Sequence, residues 1–411
     1  MPWDAVVPDP VAAIGEARMQ YGDTFVVEGD GTEYLFLFSP AGVQSFYALA
    51  EVDASKGIAD WQMLRRKLPD ELFLGRRTFP HDLFARDDVV QYREVLDVAI
   101  AQTWDELGPS GEVDVFDLTR RLGHRTGLST WAAPCGEPGP DFERLITALD
   151  ALDGAAAFVD PGAMAEVAAS GKADEYAALA IAEGVIGAAL ARRDADAPPP
   201  DDHFQRIVDA WAEEPDREQG IARDVVLVHL GSMSNLFAAL GWLLVDVLGR
   251  PELLAAVRGG DAELAERCAM ESIRVAQRSI MLRAVVRPCV VADETHEYAV
   301  DRGVTIATLL PLTNCAAGTD LASYDPERWS RRRLRTDRLP AARELVTTFG
   351  HGSHTCPAQP FSLAVMTAAL TSFVTRFDAE LTGPVSSPRR AQIGGIARPE
   401  HPCEIRYSRR T

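Results

Sequence analysis

A cysteine in the last quarter of the chain has the surroundings of a soft, anionic metal ligand. Cys356 follows a glycine-bearing turn and directly precedes a stretch with helical spacing, in the run Phe349-Gly350-His351-Gly352-Ser353-His354-Thr355-Cys356-Pro357-Ala358. We expect the N–H groups of the turn and the positive end of the helix to lower the thiol pKa and to favour a thiolate. An aromatic ring seven residues upstream can shield the sulfur, and a basic residue two upstream can reach an anionic group of a cofactor.

Taken alone, this run leaves other interpretations open. Cys356 can be a buried structural residue in an ordinary glycine loop, or it can form a nucleophilic pair with His354. A second feature lies 85 residues before the cysteine, where Glu271 and Arg274 stand three positions apart on one face of a predicted helix. Such pairs are common on surface helices, so this pair indicates a function only through its position in the chain relative to Cys356.

The loop resembles the haem-binding loop of the cytochrome P-450 family, which follows the pattern Phe-x-x-Gly-x-His/Arg-x-Cys-x-Gly. Phe349, Gly352, His354 and Cys356 match this pattern, whereas Ala358 stands where the family usually has glycine. The resemblance implies that Cys356 is the proximal thiolate ligand of heme b (iron protoporphyrin IX), a ligand type that favours O–O cleavage.

Two further spacings extend the resemblance. In the family the Glu-x-x-Arg pair is completed by a second arginine, which implies a structural ion pair of Glu271 and Arg274 with Arg328 of the Asp-Pro-Glu-Arg-Trp segment. Arg283 lies twelve residues after Glu271, where the family has an arginine that binds a haem propionate. The resemblance assigns the other propionate to His354.

The long apolar helix predicted over 221–249 departs from the family. Where the family has Ala-Gly-x-Asp/Glu-Thr, this chain has Gly231-Ser232-Met233-Ser234-Asn235. Gly231 and Asn235 are four positions apart, so both should face the haem, and Asn235 and Ser234 become the candidate catalytic residues. Asn235 can equally be a helix-interior polar residue bonded to a backbone carbonyl. The run resembles the prostacyclin synthase, allene oxide synthase and cholesterol 7α-hydroxylase groups of the family.

The same resemblance suggests the substrate-lining residues. Ile280, Met281 and Leu282 precede Arg283 and would form an apolar wall of the substrate cavity. The ending Gly394-Gly395-Ile396-Ala397-Arg398-Pro399 is similar to the C-terminal turn of the family, so Gly395 and Ile396 would contact substrate. A partly hydrophobic substrate is therefore expected.

The resemblance favours a haem-thiolate monooxygenase that oxidises a hydrophobic or natural-product-like small molecule. Its proton delivery would be atypical, because the acid and alcohol of the distal helix are missing and an amide has no useful pKa. The alternative is a haem-thiolate isomerase, dehydratase or peroxygenase that needs no redox partner. A haem-holding sensor is a third possibility.

A cluster of arginines precedes the cysteine loop. Functionally it could dock a ferredoxin supplied by a ferredoxin reductase, raising the association rate more than the affinity. It can equally be a solvated surface segment. The six arginines are Arg328, Arg331, Arg332, Arg333, Arg335 and Arg338.

The periodicity predicts a mainly α fold with a small β-rich portion, forming one domain over 1–411. Helical spacing occurs at 89–107, 141–193, 203–213, 221–257 and 262–277, a hairpin at 25–38, and β-like runs at 284–291 and 304–309. We expect residues 1–60, 284–310 and 380–411 to supply most of the β portion. The resemblance implies the triangular-prism architecture of the cytochrome P-450 fold, with haem between the distal helix and the helix after Cys356.

Composition excludes several classes of protein. With 41 basic and 61 acidic residues the formal charge is −20, which disfavours nucleic-acid binding. Six cysteines without a CxxC pair argue against a zinc ribbon or disulfide scaffold. The uncharged run 225–245 is interpreted as a buried core helix rather than a membrane span. We expect a cytoplasmic protein, since the first residues lack a secretory pattern, and separately we expect a monomer. The 38 arginines against three lysines suggest a GC-rich bacterial genome.

Overall fold

The computed structural model describes residues 7–29, 31–75, 78, 83–84, 89–154, 161–194 and 201–411. These residues form a mainly helical fold with smaller sheets, as predicted. The helices are α1 (Pro10–Tyr21), α2 (Pro40–Ala48), α3 (Lys56–Arg65), α4 (Val89–Glu106), α5 (Val115–Trp131), α6 (Pro140–Asp153), α7 (Pro161–Ala169), α8 (Ala173–Asp194), α9 (His203–Ala210), α10 (Arg217–Leu248), α11 (Pro251–Arg258), α12 (Ala262–Ala276), α13 (Leu310–Asn314) and α14 (Gln359–Arg376).

Most strands come from the two ends of the chain and from a segment after α12. They are β1 (Thr24–Gly29), β2 (Thr32–Leu37), β3 (Ala54–Ser55), β4 (Ser110–Asp114), β5 (Ile280–Val285), β6 (Cys289–Ala292), β7 (Glu297–Val300), β8 (Thr305–Leu309), β9 (Trp329–Ser330), β10 (Arg333–Leu334), β11 (Phe377–Leu381) and β12 (Glu404–Arg409). One sheet has the order β1-β2-β8-β5-β3 and another the order β11-β12-β4, while β6-β7 and β9-β10 form separate pairs.

The hairpin predicted near the N-terminus is confirmed. β1 and β2 pair antiparallel, with Phe25 opposite Phe36, and β2 continues into the sheet by a parallel pairing with β8. The predicted turn includes residue 30, which lies outside the described residues. The sheet places β5 beside β8, so the residues after α12 form one wall of the fold.

Helix α10 runs through the core and packs against α5, α8, α12 and α14. Glycine permits its close approach to α5, because a Cβ on Gly123 would lie 2.3 Å from the ring of Phe237. By length and composition α10 could cross a membrane, but 67% of its most apolar window is buried inside the fold. Core packing therefore accounts for its hydropathy, as the sequence suggested.

Several predicted boundaries change because of proline and glycine. The helical run predicted over 141–193 divides into α6, α7 and α8, and the run over 221–257 divides into α10 and α11. The second division follows from Pro251, which begins α11 and favours a first-turn position. The predicted interhelical loop over 194–202 lies largely outside the described residues.

Candidate functional site

The cysteine loop is held by its own backbone. The N–H of Cys356 donates to the carbonyl of Phe349 at 2.7 Å, which closes the loop directly before α14. Gly350 has a φ of +82°, and a Cβ there would lie 2.6 Å from the carbonyl oxygen of His354. Pro360 stands in the first turn of α14, where its missing N–H leaves no helical bond unmade. Local sequence therefore explains both the turn and the helix start.

A cavity of about 810 Å³ lies between this loop and α10. Phe349, His354 and Cys356 line it from the loop, and Gly231 and Asn235 line it from α10. A Cβ on Gly231 would meet no other atom within 4 Å, so this part of the helix leaves the cavity open. The structure thus brings these five predicted site residues to one cavity.

Strand parity separates the predicted substrate residues before Arg283. Met281 lines the cavity, whereas Ile280 and Leu282 point to the opposite side of β5 and pack against an apolar cluster that includes Phe36. Three consecutive strand residues cannot share one face, because side chains alternate along a strand. Of the three residues predicted to form the cavity wall, the structure places Met281 at the cavity, and their contact with substrate stays a prediction.

The C-terminal turn approaches α10 directly. Ile396 lines the cavity, and its backbone N–H donates to the side-chain carbonyl of Asn235 at 2.9 Å. Gly395 has a φ of +63°, and a Cβ there would lie 2.5 Å from the same oxygen, so it supports this contact rather than the cavity wall. Among the described residues, the carbonyl is the only group of Asn235 that makes a hydrogen bond, which leaves its two N–H donors for a bound molecule.

Two predicted cofactor residues lie outside the cavity lining. Gly352, with a φ of +60°, borders a separate groove on the outer side of the loop. Arg283 is fully buried, and its guanidinium donates to the backbone carbonyls of Phe46 at 3.3 Å, Leu49 at 2.7 Å and Ala54 at 2.9 Å. Its role toward a propionate stays a prediction.

Ser234 belongs to an ionic network that the sequence did not reveal. Its hydroxyl accepts from Arg398 at 3.1 Å, and the same guanidinium donates to Asp153 at 2.8 Å. Arg120 lies 3.7 Å from Asp153 and also pairs with Asp150. Burial lowers the pKa of Arg398 despite the opposing effect of Asp153. The network connects the helix beside Asn235 to partly exposed charges on α6.

A second branch of this network reaches α10 through two histidines. His124 contacts Asp150 through Nε2 at 2.9 Å and His229 through Nδ1 at 2.9 Å. His229 is completely buried, and burial, helped by His124, holds its pKa well below the ordinary value. His229 is therefore neutral near pH 7 and acts as a core residue beside Trp131.

The electrostatics of Cys356 correct the expected direction of its pKa. Burial raises the pKa of the thiol and outweighs the lowering effect of the backbone N–H of Ala358, the charge of Lys56 and the N–H of Gln359. The turn and helix do act as predicted, but they do not dominate. A bound cation would reverse the balance, because a coordinating thiol is deprotonated outright.

The residues around the sulfur suit a metal that brings its own additional ligands. Among the described residues, no group of three or more His, Cys, Asp or Glu side chains could hold a metal ion by itself. Nε2 of His354 is buried and makes no hydrogen bond within the described residues, although Oε2 of Glu51 lies 3.3 Å away; it can serve an anionic group at the cavity. Leu227, Val228 and Ala239 add apolar walls. A planar, mostly apolar metallocofactor with acidic substituents fits these features.

The predicted ion pair is assembled in the core. Arg274 binds Glu271 at 2.7 and 2.9 Å, and Nε of Arg328 lies 3.5 Å from the same carboxylate. Trp329 donates its indole N–H to Glu271 at 2.9 Å, and the backbone N–H of Asp325 donates at the same distance. All three charged side chains are buried, so this cluster joins α12 to the segment that precedes the cysteine loop.

The arginine cluster borders the groove on the outer side of the loop, which has a volume of about 1150 Å³. Part of its charge is neutralised: Arg331 pairs with Glu263 at 2.9 Å and Arg332 with Glu266 at 3.3 Å. Arg335 and Arg338 also pair with neighbouring carboxylates, and Arg328 is buried in the core ion pair. Arg333 is exposed on the groove wall.

Part of the chain is similar to known oxidative enzymes. It is 24% identical over 209 residues to the 24-hydroxycholesterol 7-alpha-hydroxylase of Homo sapiens, covering 45% of this chain and 43% of the relative. The corresponding Mus musculus enzyme is 24% identical over 149 residues, covering 35% and 29%. A cytochrome P-450 monooxygenase of Gibberella zeae is 22% identical over 183 residues, covering 38% and 35%.

The chain spans less than half the length of these curated relatives. No protein-family model matches it. At the level of the superfamily, the similarities support a relationship to the cytochrome P-450 enzymes and to monooxygenases among the oxidoreductases.

Proposed function

We propose that this protein is a haem-thiolate monooxygenase that oxidises a hydrophobic small molecule. The observation that carries this proposal is the cavity itself, where the sulfur of Cys356 lies on one wall and the amide of Asn235 on the other. An apolar chamber that joins a soft ligand to a polar hydrogen-bond donor suits oxygen chemistry on an apolar substrate. The similarity to a hydroxylase and a monooxygenase favours this reaction over peroxide isomerisation.

The residues at the cavity would hold haem in defined ways. The Cys356 thiolate would bind the iron, Phe349 would shield the sulfur, and His354 and Arg283 would hold the propionates. When bound, thiolate-ligated haem supplies activation of dioxygen, so that one oxygen atom enters a C–H bond and the other leaves as water. The reaction consumes two electrons and two protons per dioxygen, and these must be delivered to the cavity.

The distal helix α10 would orient a bound polar group and help to supply protons, although it lacks the acidic residue and the threonine that the family usually has there. Asn235 has no useful pKa, so its N–H groups orient a bound polar group and do not donate a proton by themselves. The Ser234 hydroxyl, on the neighbouring residue, carries an exchangeable proton and accepts a hydrogen bond from Arg398, which also donates to the Asp153 carboxylate. Proton delivery would therefore use Ser234, with the ionic network as its link to the surface.

The substrate would be largely apolar. Leu227, Val228, Met281 and Ile396 line the same cavity, and burial of such surfaces stabilises a complex by about 25 cal/mol per Å² of apolar area. The N–H donors of Asn235 provide one polar contact that could orient it. A sterol-like or natural-product-like molecule meets this description.

Electrons would enter from the outer side of the cysteine loop. The groove there contains Gly352 and Thr355 of the loop together with exposed Arg333. An acidic ferredoxin, reduced by its reductase, is the class of donor that a basic surface attracts in an otherwise acidic protein.

The test has two steps. The haem-loaded protein is first screened for substrate-induced shifts of the Soret band with apolar probes, beginning with 24-hydroxycholesterol. Probes that bind are then incubated with ferredoxin, ferredoxin reductase and NADPH under air, or with a hydroperoxide alone. Hydroxylated product that requires the electron donors supports the proposal. Product formed only with hydroperoxide, and none with the donors, would replace it by peroxide-dependent chemistry.

A further inference from the structure

The carboxylate of Glu51 lies at the edge of the cavity and is surrounded by hydrogen-bond donors that suit an anion. Glu51 accepts from the hydroxyl of Ser55 at 2.6 Å and from the backbone N–H of Gly57 at 2.9 Å and of Lys56 at 3.2 Å. Those amides form the first turn of α3, whose positive end favours a negative charge. Partial burial pushes the pKa of Glu51 up, but these hydrogen bonds outweigh it and the pKa is lower than usual.

The same carboxylate is shared with the two residues that the family resemblance assigns to the propionates. Oε2 of Glu51 lies 3.3 Å from Nε2 of His354 and 3.5 Å from a terminal nitrogen of Arg283. Glu51 and His354 both line the cavity. An incoming carboxylate that uses His354 and Arg283 would therefore meet a negative charge already in place.

The position of Arg283 does not depend on Glu51. Arg283 is oriented by backbone carbonyls of Phe46, Leu49 and Ala54, which accept from all three of its guanidinium nitrogens. The Glu51 side chain is 46% exposed, so it can turn toward solvent with little loss of packing. Removing the charge of Glu51 should leave Arg283, His354 and the first amides of α3 in place and make them available to another carboxylate.

We propose that Glu51 competes with a haem propionate for Arg283, His354 and the first amides of α3, and so weakens retention of the cofactor. This inference rests on the proposed function, because it requires haem in the cavity. Two carboxylates that share one set of hydrogen-bond donors repel each other, so either Glu51 or the propionate must leave these donors and be solvated by water.

The measurement is the rate of haem transfer from the loaded, full-length protein to excess apomyoglobin, followed by visible absorbance. We expect Glu51→Gln to release haem about fivefold more slowly than the wild type, equivalent to about 1 kcal/mol for a partly exposed charge. Raising the ionic strength should narrow the difference, because exposed charges are screened. Glu51→Asp retains the charge but retracts it from Arg283 and His354, so it should release haem at an intermediate rate.

The matched control is Asp53→Asn, which removes one negative charge from the same segment. The Asp53 side chain is not among the described residues that line the cavity, and the backbone carbonyl accepts from Val286 and Arg287. Its release rate should stay within about twofold of the wild type. Unchanged or faster release from both Glu51 variants would overturn the inference while leaving the proposed function intact. Failure of the wild type to take up haem would refute the proposed function, and the inference with it.

Discussion

The side-chain carbonyl of Asn235 accepts a hydrogen bond of 2.9 Å from the backbone N–H of Ile396, across 161 positions of sequence. This contact ties the distal helix α10 to the C-terminal turn at the point where both border the cavity. The carbonyl of Asn235 therefore has a structural role, and its amide N–H groups are candidate hydrogen-bond donors to a molecule in the cavity.

Replacing Asn235 with alanine should destabilise the protein by about 1–3 kcal/mol, because the buried N–H of Ile396 would lose its acceptor. Urea denaturation of the wild type and the variant measures this difference. Ser232→Ala, on the same wall of the cavity, is the control and should change the free energy of unfolding by less than about 0.5 kcal/mol. Equal effects in the two variants would show that the Asn235–Ile396 bond contributes no specific stability.

The buried Glu271 cluster predicts a much larger loss. Glu271→Gln leaves Arg274 and Arg328 in the core without their shared counter-charge, which should cost about 3–5 kcal/mol. Glu266→Gln, on the same helix, breaks only the surface pair with Arg332 and should cost less than about 1 kcal/mol. Thermal denaturation compares the two. A Glu271 variant as stable as the Glu266 variant would contradict the assigned structural role.

Stability should fall as the pH drops below about 6.5, the ordinary pKa of histidine. The pKa of His229 is lower in the folded protein than in the unfolded chain, so the unfolded chain binds the proton more readily. Acid therefore stabilises the unfolded state relative to the folded state. His229→Gln should reduce the slope between about pH 6.5 and 5 by up to about 1.4 kcal/mol per pH unit. His351 and His354, whose pKa values burial also lowers, would maintain a residual slope.

The control for this pH series is His401→Gln, since His401 is exposed. Its denaturation free energy should follow the wild type from neutral to acidic pH. If His229→Gln also follows the wild type throughout this range, the buried neutral state of His229 is not a source of the pH dependence.

Arg333 should matter for electron transfer at low salt. Arg333 is exposed on the groove wall and, unlike Arg331 and Arg332, has no carboxylate partner among the ion pairs of the described residues. Arg333→Glu reverses this charge. Stopped-flow reduction by an acidic ferredoxin should slow by about threefold to tenfold at low ionic strength and recover in high salt. Arg302→Glu, exposed and away from the groove, should leave the rate unchanged. Equal rates in both variants would exclude this face as the docking surface.

Local signals made part of the molecule predictable. The turn and helix around Cys356 depend on Gly350 and Pro360, which act on their immediate neighbours. Helix α12 has a regular apolar face, and the structure begins and ends it within one residue of the predicted bounds. By contrast, α5 was missed because its buried side includes Thr119, His124 and Arg125, which hide the apolar period.

Contacts between distant segments were not predictable. Arg398 meets Asp153 from 245 positions away and Ser234 from 164, and only the tertiary fold places them together. Glu51 has the same difficulty, since its distance to His354 depends on how α3 meets the cysteine loop. Strand parity before Arg283 was missed because the predicted β-like run began at Ala284, whereas β5 begins at Ile280.

The most direct test is the absorption spectrum of the reduced carbonyl complex after haem loading. We expect the long-wavelength Soret band of thiolate-ligated haem for the wild type and for Cys289→Ala, which changes a cysteine of β6 that does not line the cavity. Cys356→Ala should lose that band. A wild type that takes up no haem, or a Cys356→Ala variant that keeps the wild-type spectrum, would contradict the assignment of Cys356 as the iron ligand.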